Sequence, residues 1–193
     1  MPPDFSQLHT HLDAYASRWP DEAASALTFR EFLRSDSAVF ERRFPAGHFT
    51  GSAWLVCADG ARVLLMHHRK LGLWLQPGGH ADGDVDLARV ALREAQEETG
   101  VIDLHVEGGI FDLDRHCIPG RANEAEHWHY DVRYVVRATG DEAFAVSEES
   151  LALAWRPIRE IGHNGLQQDE AIDASLHRMA RKWLGVESTM KPG

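Results

Sequence analysis

Glu94, Glu97 and Glu98 fall within one and a half turns of a stretch, REAQEETG, that reads as helix. On an α-helix, positions i, i+3 and i+4 project from one face, so the three carboxylates converge. Like charges at that spacing repel and raise one another's pKa unless a cation sits among them. A hard divalent cation with oxygen ligands removes the conflict. Gly78 and Gly79 lie upstream, where glycine permits turns that would let a backbone carbonyl approach the same ion. Arg93 precedes the cluster and can reach Glu97 at i+4. The competing reading is an acidic helix face that is simply solvated.

Several elements must position these residues. Phe5, Leu8, Leu12, Tyr15 and Trp19 recur at steps of three and four, which predicts an amphipathic helix. Pro20, Asp21 and Glu22 suit the start of a second helix, carrying Leu27, Phe29, Phe32 and Leu33. The first 40 residues therefore read as a helical hairpin laid on something larger. FTGSAWLVC (49–57) and ARVLLMHH (61–68) flank the turn ADG and predict a β-hairpin. LWLQ (73–76) reads as a short strand stopped by Pro77-Gly78-Gly79. Residues 85–99 read as a helix with Val85, Ala88, Leu92, Ala95 and Thr99 on one stripe and Gly100 at its end. LHVEGGIFDLD (104–114) reads as an interrupted strand. HWHYDVRYVVRA (127–138) alternates, with His127, His129, Asp131, Arg133 and Val135 on one face and Trp128, Tyr130, Val132, Tyr134 and Val136 on the other. LALAW (151–155) predicts a further strand and 166–184 a closing helix, with Ile172, Leu176, Met179 and Trp183 inward. The mixed order points to an α/β sandwich with a mixed sheet.

The full spacing around the carboxylates resembles a known motif. Gly79, five residues, position 85, seven residues, then Arg93-Glu94-Ala95-Gln96-Glu97-Glu98-Thr99-Gly100-Val101 is similar to the Nudix box. That pattern is Gly, five residues, Glu, seven residues, Arg-Glu-U-x-Glu-Glu-x-Gly-U, with U apolar. Val85 stands where the family has its first box Glu; the other fixed positions match. The resemblance implies a Nudix-like α/β/α sandwich with a mixed sheet, in which residues 1–46 are a helical extension and 47–193 the hydrolase domain with its C-terminal helix. It implies metal-dependent hydrolysis of a diphosphate bond in a nucleoside diphosphate linked to another moiety, by water attack at phosphorus. By position, Glu94, Glu97 and Glu98 would bind Mg²⁺ or Mn²⁺ with the Gly78 carbonyl as a further ligand, and Arg93 would orient a glutamate. Asp84 or Asp86 could partly substitute at the gap left by Val85, although an offset of one residue rotates the side chain by about 100° on a helix. In several members a late-loop glutamate is general base or extra ligand, and Glu149 or Glu148 occupies such a position; Glu97 is the other candidate near the attacking water.

Other residues could read the substrate. Arg133, with a histidine of its strand face, could grip phosphate or base, or that face could pack under a helix. Arg69, in His67-His68-Arg69-Lys70, could contact phosphates, or belong to a solvated loop. His80 follows the glycines and could face the cleft; His48 could be core or cleft. Trp54, Trp74, Trp128 and Trp155 could stack a base, although Trp on strands is more often core.

Composition bounds the partners. Thirty acids against 20 bases give a net charge of −10, with no basic footprint for nucleic acid. No apolar run approaches the ~18 residues that span a membrane, and the start lacks the pattern of a signal peptide. Two isolated cysteines, Cys57 and Cys117, suit a reducing compartment, and no Cys/His zinc spacing is visible. The expectation is a cytoplasmic protein acting on a small molecule, with residues 1–40 setting specificity or a homodimer interface. Two rivals remain: a Nudix-fold module that senses a nucleotide sugar without cleaving it, and an isoprenoid-diphosphate isomerase, which would need a catalytic Cys.

Overall fold

A computed structural model describes residues 5–121, 125–146, 150–163 and 172–186. The chain opens with α1 (Ser6–Arg18), which buries Leu8, Leu12 and Tyr15, and α2 (Ala23–Ser35), which buries Ala26, Phe29, Phe32 and Leu33. Between them Pro20 starts a 3₁₀ turn, Pro20–Glu22, where its fixed φ suits a first helical position.

Among the described residues seven strands follow: β1 (Gly47–Val56), β2 (Arg62–His68), β3 (Trp74–Leu75), β4 (Gly78–His80), β5 (Leu104–Ile118), β6 (His127–Ala138) and β7 (Ser150–Pro157). They form one mixed sheet of order β3-β2-β1-β6-β5, with β4 paired to β1 and β7 to β2. β1 and β6 run parallel and the other pairs are antiparallel. β5 is longer than its sequence pattern suggested, and its register breaks after Glu107 and again after Ile110.

The remaining helices are α3 (Leu87–Thr99), α4 (Ile158–Gly162) and α5 (Ala174–Trp183). α3 starts two residues after Val85, because the Asp86 carboxylate caps it by accepting from the Arg89 N–H. α4 has no counterpart in the sequence reading; Pro157 ends β7 and stands at the position just before the short helix. α5 begins at Ala174, where Asp173 accepts from the Ser175 N–H, so Ile172 lies outside the helix and bridges to Trp74. The part of the predicted helix from 166 to 171 lies outside the described residues. No described helix is long and apolar enough to cross a membrane.

Alternation along the strands divides the sheet into two faces. Phe49, Ala53, Leu55, Tyr130, Val132, Tyr134 and Val136 share a core with α1, α2 and α3. Trp54, Val56, Phe111 and Val135 share another with Ile158, Ile161, Leu176, Met179 and Ala180 of α4 and α5. Helices thus cover both faces, and α1 and α2 are built into the same core as the sheet. Phe32 stacks on Tyr130 at 3.7 Å between ring centroids, and Phe29 meets Tyr130 edge-on at 5.3 Å. α3 lies so close to β1 that a Cβ on Gly51 would stand 2.7 Å from the Leu87 carbonyl.

Candidate active site

Helix α3 turns its buried residues, Leu87, Val90, Ala91, Ala95 and Thr99, toward the sheet. Glu94 and Glu98 are left at the helix edge facing β4. Glu94 packs on the bare backbone of Gly79: a Cβ there would lie 2.4 Å from Glu94 Oε2. The Gly78 N–H donates to Glu98 Oε2 at 2.9 Å. Glu97 is exposed. Arg93 does not pair with Glu97 as i+4 spacing suggested; its Nη2 donates to Glu94 Oε1 at 2.8 Å and to the His80 carbonyl at 3.0 Å. The guanidinium therefore joins the helix to the glycine strand, and the Glu94 hydrogen bond raises the Arg93 pKa above its ordinary value.

Val85 explains itself through α1. It packs, half-buried, on the core shared with the N-terminal helices, and it lines one small crevice with Gln7, Leu8, His11, Leu87 and Tyr134. A glutamate here would lie against Leu8 of α1 and Tyr134. Neither neighbouring aspartate is free to replace it: Asp84 pairs with Arg89 at 2.6 Å, and Asp86 caps α3.

The polar face of the sheet begins beside β4. His48, Thr50 and Ser52 of β1 stand opposite His129, Asp131 and Arg133 of β6. Asp131 Oδ1 accepts from Thr50 Oγ1 at 2.9 Å and from Ser52 Oγ at 2.7 Å. Its other oxygen accepts from Arg133 Nε at 2.7 Å. Arg133 also meets Asp112 and Asp114, each at 3.3 Å, and is only 2% exposed. The expectation that Arg133 grips a substrate is therefore corrected: α5 covers this part of β6, and the guanidinium is spent on three aspartates. Arg178 and Lys182 of α5 complete the network, reaching Asp112 at 2.7 and 2.8 Å. Burial by itself would raise the Asp112 pKa, but the bond from Arg178 and the charges of Arg133, Arg178 and Lys182 outweigh it and hold the carboxyl below its usual value.

His80 lies in β4 opposite Thr50, its ring 5.0 Å from that of His48 and 5.1 Å from that of His129. It thus joins the box strand to a group of histidines. Arg69 is exposed on the β2–β3 connection and donates to the Ser150 carbonyl at 3.2 Å, at the start of β7. Glu148 and Glu149 lie outside the described residues. Trp54 is fully buried and Trp74 nearly so, whereas exposed Trp128 carries Arg115 over its ring at 4.3 Å. Cys57 is buried, and its thiol donates to Asp59 Oδ1 at 2.9 Å. Cys117 sits near the end of β5 and Cys57 just after β1, and neither belongs to the carboxylate cluster.

The donor set Glu94, Glu97, Glu98 and the Gly78 backbone is all oxygen, which suits a hard divalent cation. The glycine cradle occupied by Glu94 fits the same purpose, since it brings backbone and carboxylates together.

The sequence model of the NUDIX domain matches residues 47–179. The chain belongs to the Nudix family. Its activity class is accordingly that of a Nudix-type hydrolase, in a family that generally uses divalent metal ions. Solved Nudix structures share the fold. The Caenorhabditis elegans Ap4A hydrolase in a binary complex is 15% identical with a TM-score of 0.54, the match covering 71% of this chain and 95% of that one. A Nudix-family hydrolase from Clostridium perfringens is 24% identical with a TM-score of 0.52, covering 72% and 97%. The Nudix domain of Shewanella oneidensis NrtR, complexed with ADP ribose, is 25% identical with a TM-score of 0.52, covering 80% and 97%. No curated protein matches the chain.

Proposed function

We propose that this Nudix protein hydrolyses the diphosphate bond of a nucleoside diphosphate linked to another moiety, by attack of water at phosphorus. The observation that carries the reading is the lock between helix and glycine strand: Arg93 holds Glu94 and the His80 carbonyl, and the Gly78 N–H holds Glu98. Preorganised carboxylates need no rearrangement when the substrate arrives. Glu94, Glu97, Glu98 and the Gly78 carbonyl would hold Mg²⁺ or Mn²⁺. When bound, such ions screen a diphosphate and lower the pKa of water. Arg93 orients Glu94, and exposed Glu97 is the box carboxylate best placed to take a proton from water; Glu149 is the alternative base. His80 and Arg69 remain candidates for contact with the substrate, and Arg133 is reassigned to support the strand.

The Shewanella domain binds ADP ribose, which favours nucleoside diphosphates carrying a sugar as the first compounds to try. A panel of nucleoside diphosphate derivatives, with Mg²⁺ or Mn²⁺ and a coupled phosphatase, is run on the native chain and on Glu97→Gln. Turnover lost in the variant supports hydrolysis. Tight binding without turnover on every compound favours the sensing module instead. Full activity in Cys57→Ala and Cys117→Ala excludes a thiol-dependent isomerase. A cytoplasmic location, a homodimer and the division at residue 46 belong to the same reading; light scattering measures the second.

A further inference from the structure

Beside the box lies a second group of ligand-type side chains, of which the hydrolytic reading uses only His80. His48 of β1, His80 of β4 and His129 of β6 each offer a ring nitrogen, and these nitrogens lie within 4.8 Å of one another. The sheet itself brings them together. β6 and β1 place His129 opposite His48, and β4 places His80 opposite Thr50, the neighbour but one of His48 on the same face.

Three features distinguish this group from ordinary aromatic packing. First, His48 is 1% exposed, and neither of its ring nitrogens has a hydrogen-bond partner. A buried imidazole with both nitrogens unsatisfied is rare, because each polar atom has lost its water. Second, the rings converge: the centroid of His48 lies 5.0 Å from that of His80 and 4.7 Å from that of His129. Third, an outer partner is in place. His127 Nδ1 lies 2.9 Å from the Ala125 carbonyl, which can only accept, so that nitrogen carries the proton. In the uncharged ring Nε2 then presents a lone pair, 3.3 Å from His129 Nε2. A metal-binding imidazole is usually oriented by an acceptor on its other ring nitrogen, and His127 Nε2 is placed to be that acceptor for His129.

We propose that His48, His80 and His129 form a binding site for a borderline divalent cation of the Zn²⁺ class, distinct from the oxygen-only carboxylate site of the box. Nitrogen donors select such ions, whereas carboxylate and carbonyl oxygens select Mg²⁺. Tetrahedral zinc with Zn–N of about 2.0–2.1 Å has ligand nitrogens about 3.3–3.4 Å apart. The trio's nitrogens, within 4.8 Å of one another, would have to close by at most about 1.5 Å to reach that spacing. Three ligands leave a fourth position open. His80 and His129 are both partly exposed, so the ion would be reached, and its fourth position filled by water or an anionic oxygen, from their side. Because His80 adjoins Gly79, the two cation sites would draw on one short strand while differing in ligand chemistry.

The test uses the full chain freed of metal by a chelator and titrated with Co²⁺, a spectroscopic substitute for zinc. One equivalent should give the intense visible absorption of a tetrahedral nitrogen site, displaced by Zn²⁺ and unaffected by excess Mg²⁺. His80→Ala and His129→Ala should each weaken binding by about 100-fold or more, since outer-shell changes alone cost 10–100-fold. Glu97→Gln should retain the band. Circular dichroism checks each variant; if His129→Ala does not fold, His80→Gln on the short edge strand carries the same comparison. The proposal is overturned if the native chain develops no tetrahedral band. It is equally overturned if folded His80 variants bind Co²⁺ as the native chain does, or if the band vanishes in Glu97→Gln.

Discussion

Glu94 and Glu98 are held by the glycine strand, whereas Glu97 projects from α3 into solvent. Glu97→Gln therefore changes chemistry without changing packing. Its kcat/KM should fall about 10²-fold or more, as when other charge-stabilising groups are removed, with Tm unchanged. Gly79→Ala acts from the opposite side. Its new Cβ, 2.4 Å from Glu94 Oε2, must push the carboxylate away from Arg93. A displacement of about an ångström can cost 10²-fold, so kcat/KM should drop by about that much while circular dichroism still reports a folded chain. Val85→Glu restores the residue that the family motif carries, yet it sets a carboxylate against Leu8 and Tyr134. Urea denaturation should show a loss of about 1–3 kcal/mol, the typical cost of burying a polar group without a partner. A gain in activity without that loss would mean that α1 tolerates a glutamate at this position.

At the scale of elements, β5, β6 and α5 are joined by Asp112, Asp114 and Asp131 facing Arg133, Arg178 and Lys182. Removing one member leaves the others buried and uncompensated. Arg133→Met should lower stability by about 3–5 kcal/mol in urea, far more than an exposed arginine would. The acid response follows from the same pairs. Asp112 and Asp114 are held below the ordinary 3.8, so their contribution is complete above that pH. It disappears as pH falls through their lower folded values, because the unfolded chain takes up the protons first. Native stability should thus drop steeply below about pH 4, and Arg133→Met should lose that part of the slope; acid titration followed by near-UV circular dichroism measures both. The helix periodicity made the three glutamates readable in sequence, since one element carries them all. Alternation likewise showed that His129, Asp131 and Arg133 share a face. What covers that face could not be read, because α5 arrives from a distant part of the chain with its own cations. The histidine trio was hidden for a related reason. Its members come from three strands, 32 and 49 residues apart in sequence, and only the repeat HWH hinted that imidazoles gather there.

The molecule as a whole depends on its first two helices. Phe29 and Phe32 cover Tyr130 and Phe49, and Leu8 and Leu12 belong to the same core. Deleting residues 1–35 should therefore give an aggregating chain without near-UV circular dichroism, rather than a trimmed and active enzyme. The amphipathic pattern predicted that these helices lie on something larger. It did not reveal how completely they enter its core, because periodicity shows which face is apolar and not what meets it. The opposite end of the chain completes the same structure. Lys182 of α5 is nearly buried; it reaches Glu22 and Asp112, each at 2.8 Å, and the Tyr15 hydroxyl at 2.9 Å. Tyr15 in turn donates to Glu22. The order of synthesis gives this arrangement a cost in time. The ribosome makes Tyr15 and Glu22 long before Lys182, so until α5 emerges Asp112 and Asp114 lack its cations and the helical hairpin lacks its anchor. A chain stalled before α5 would present that unfinished seam to proteases and chaperones.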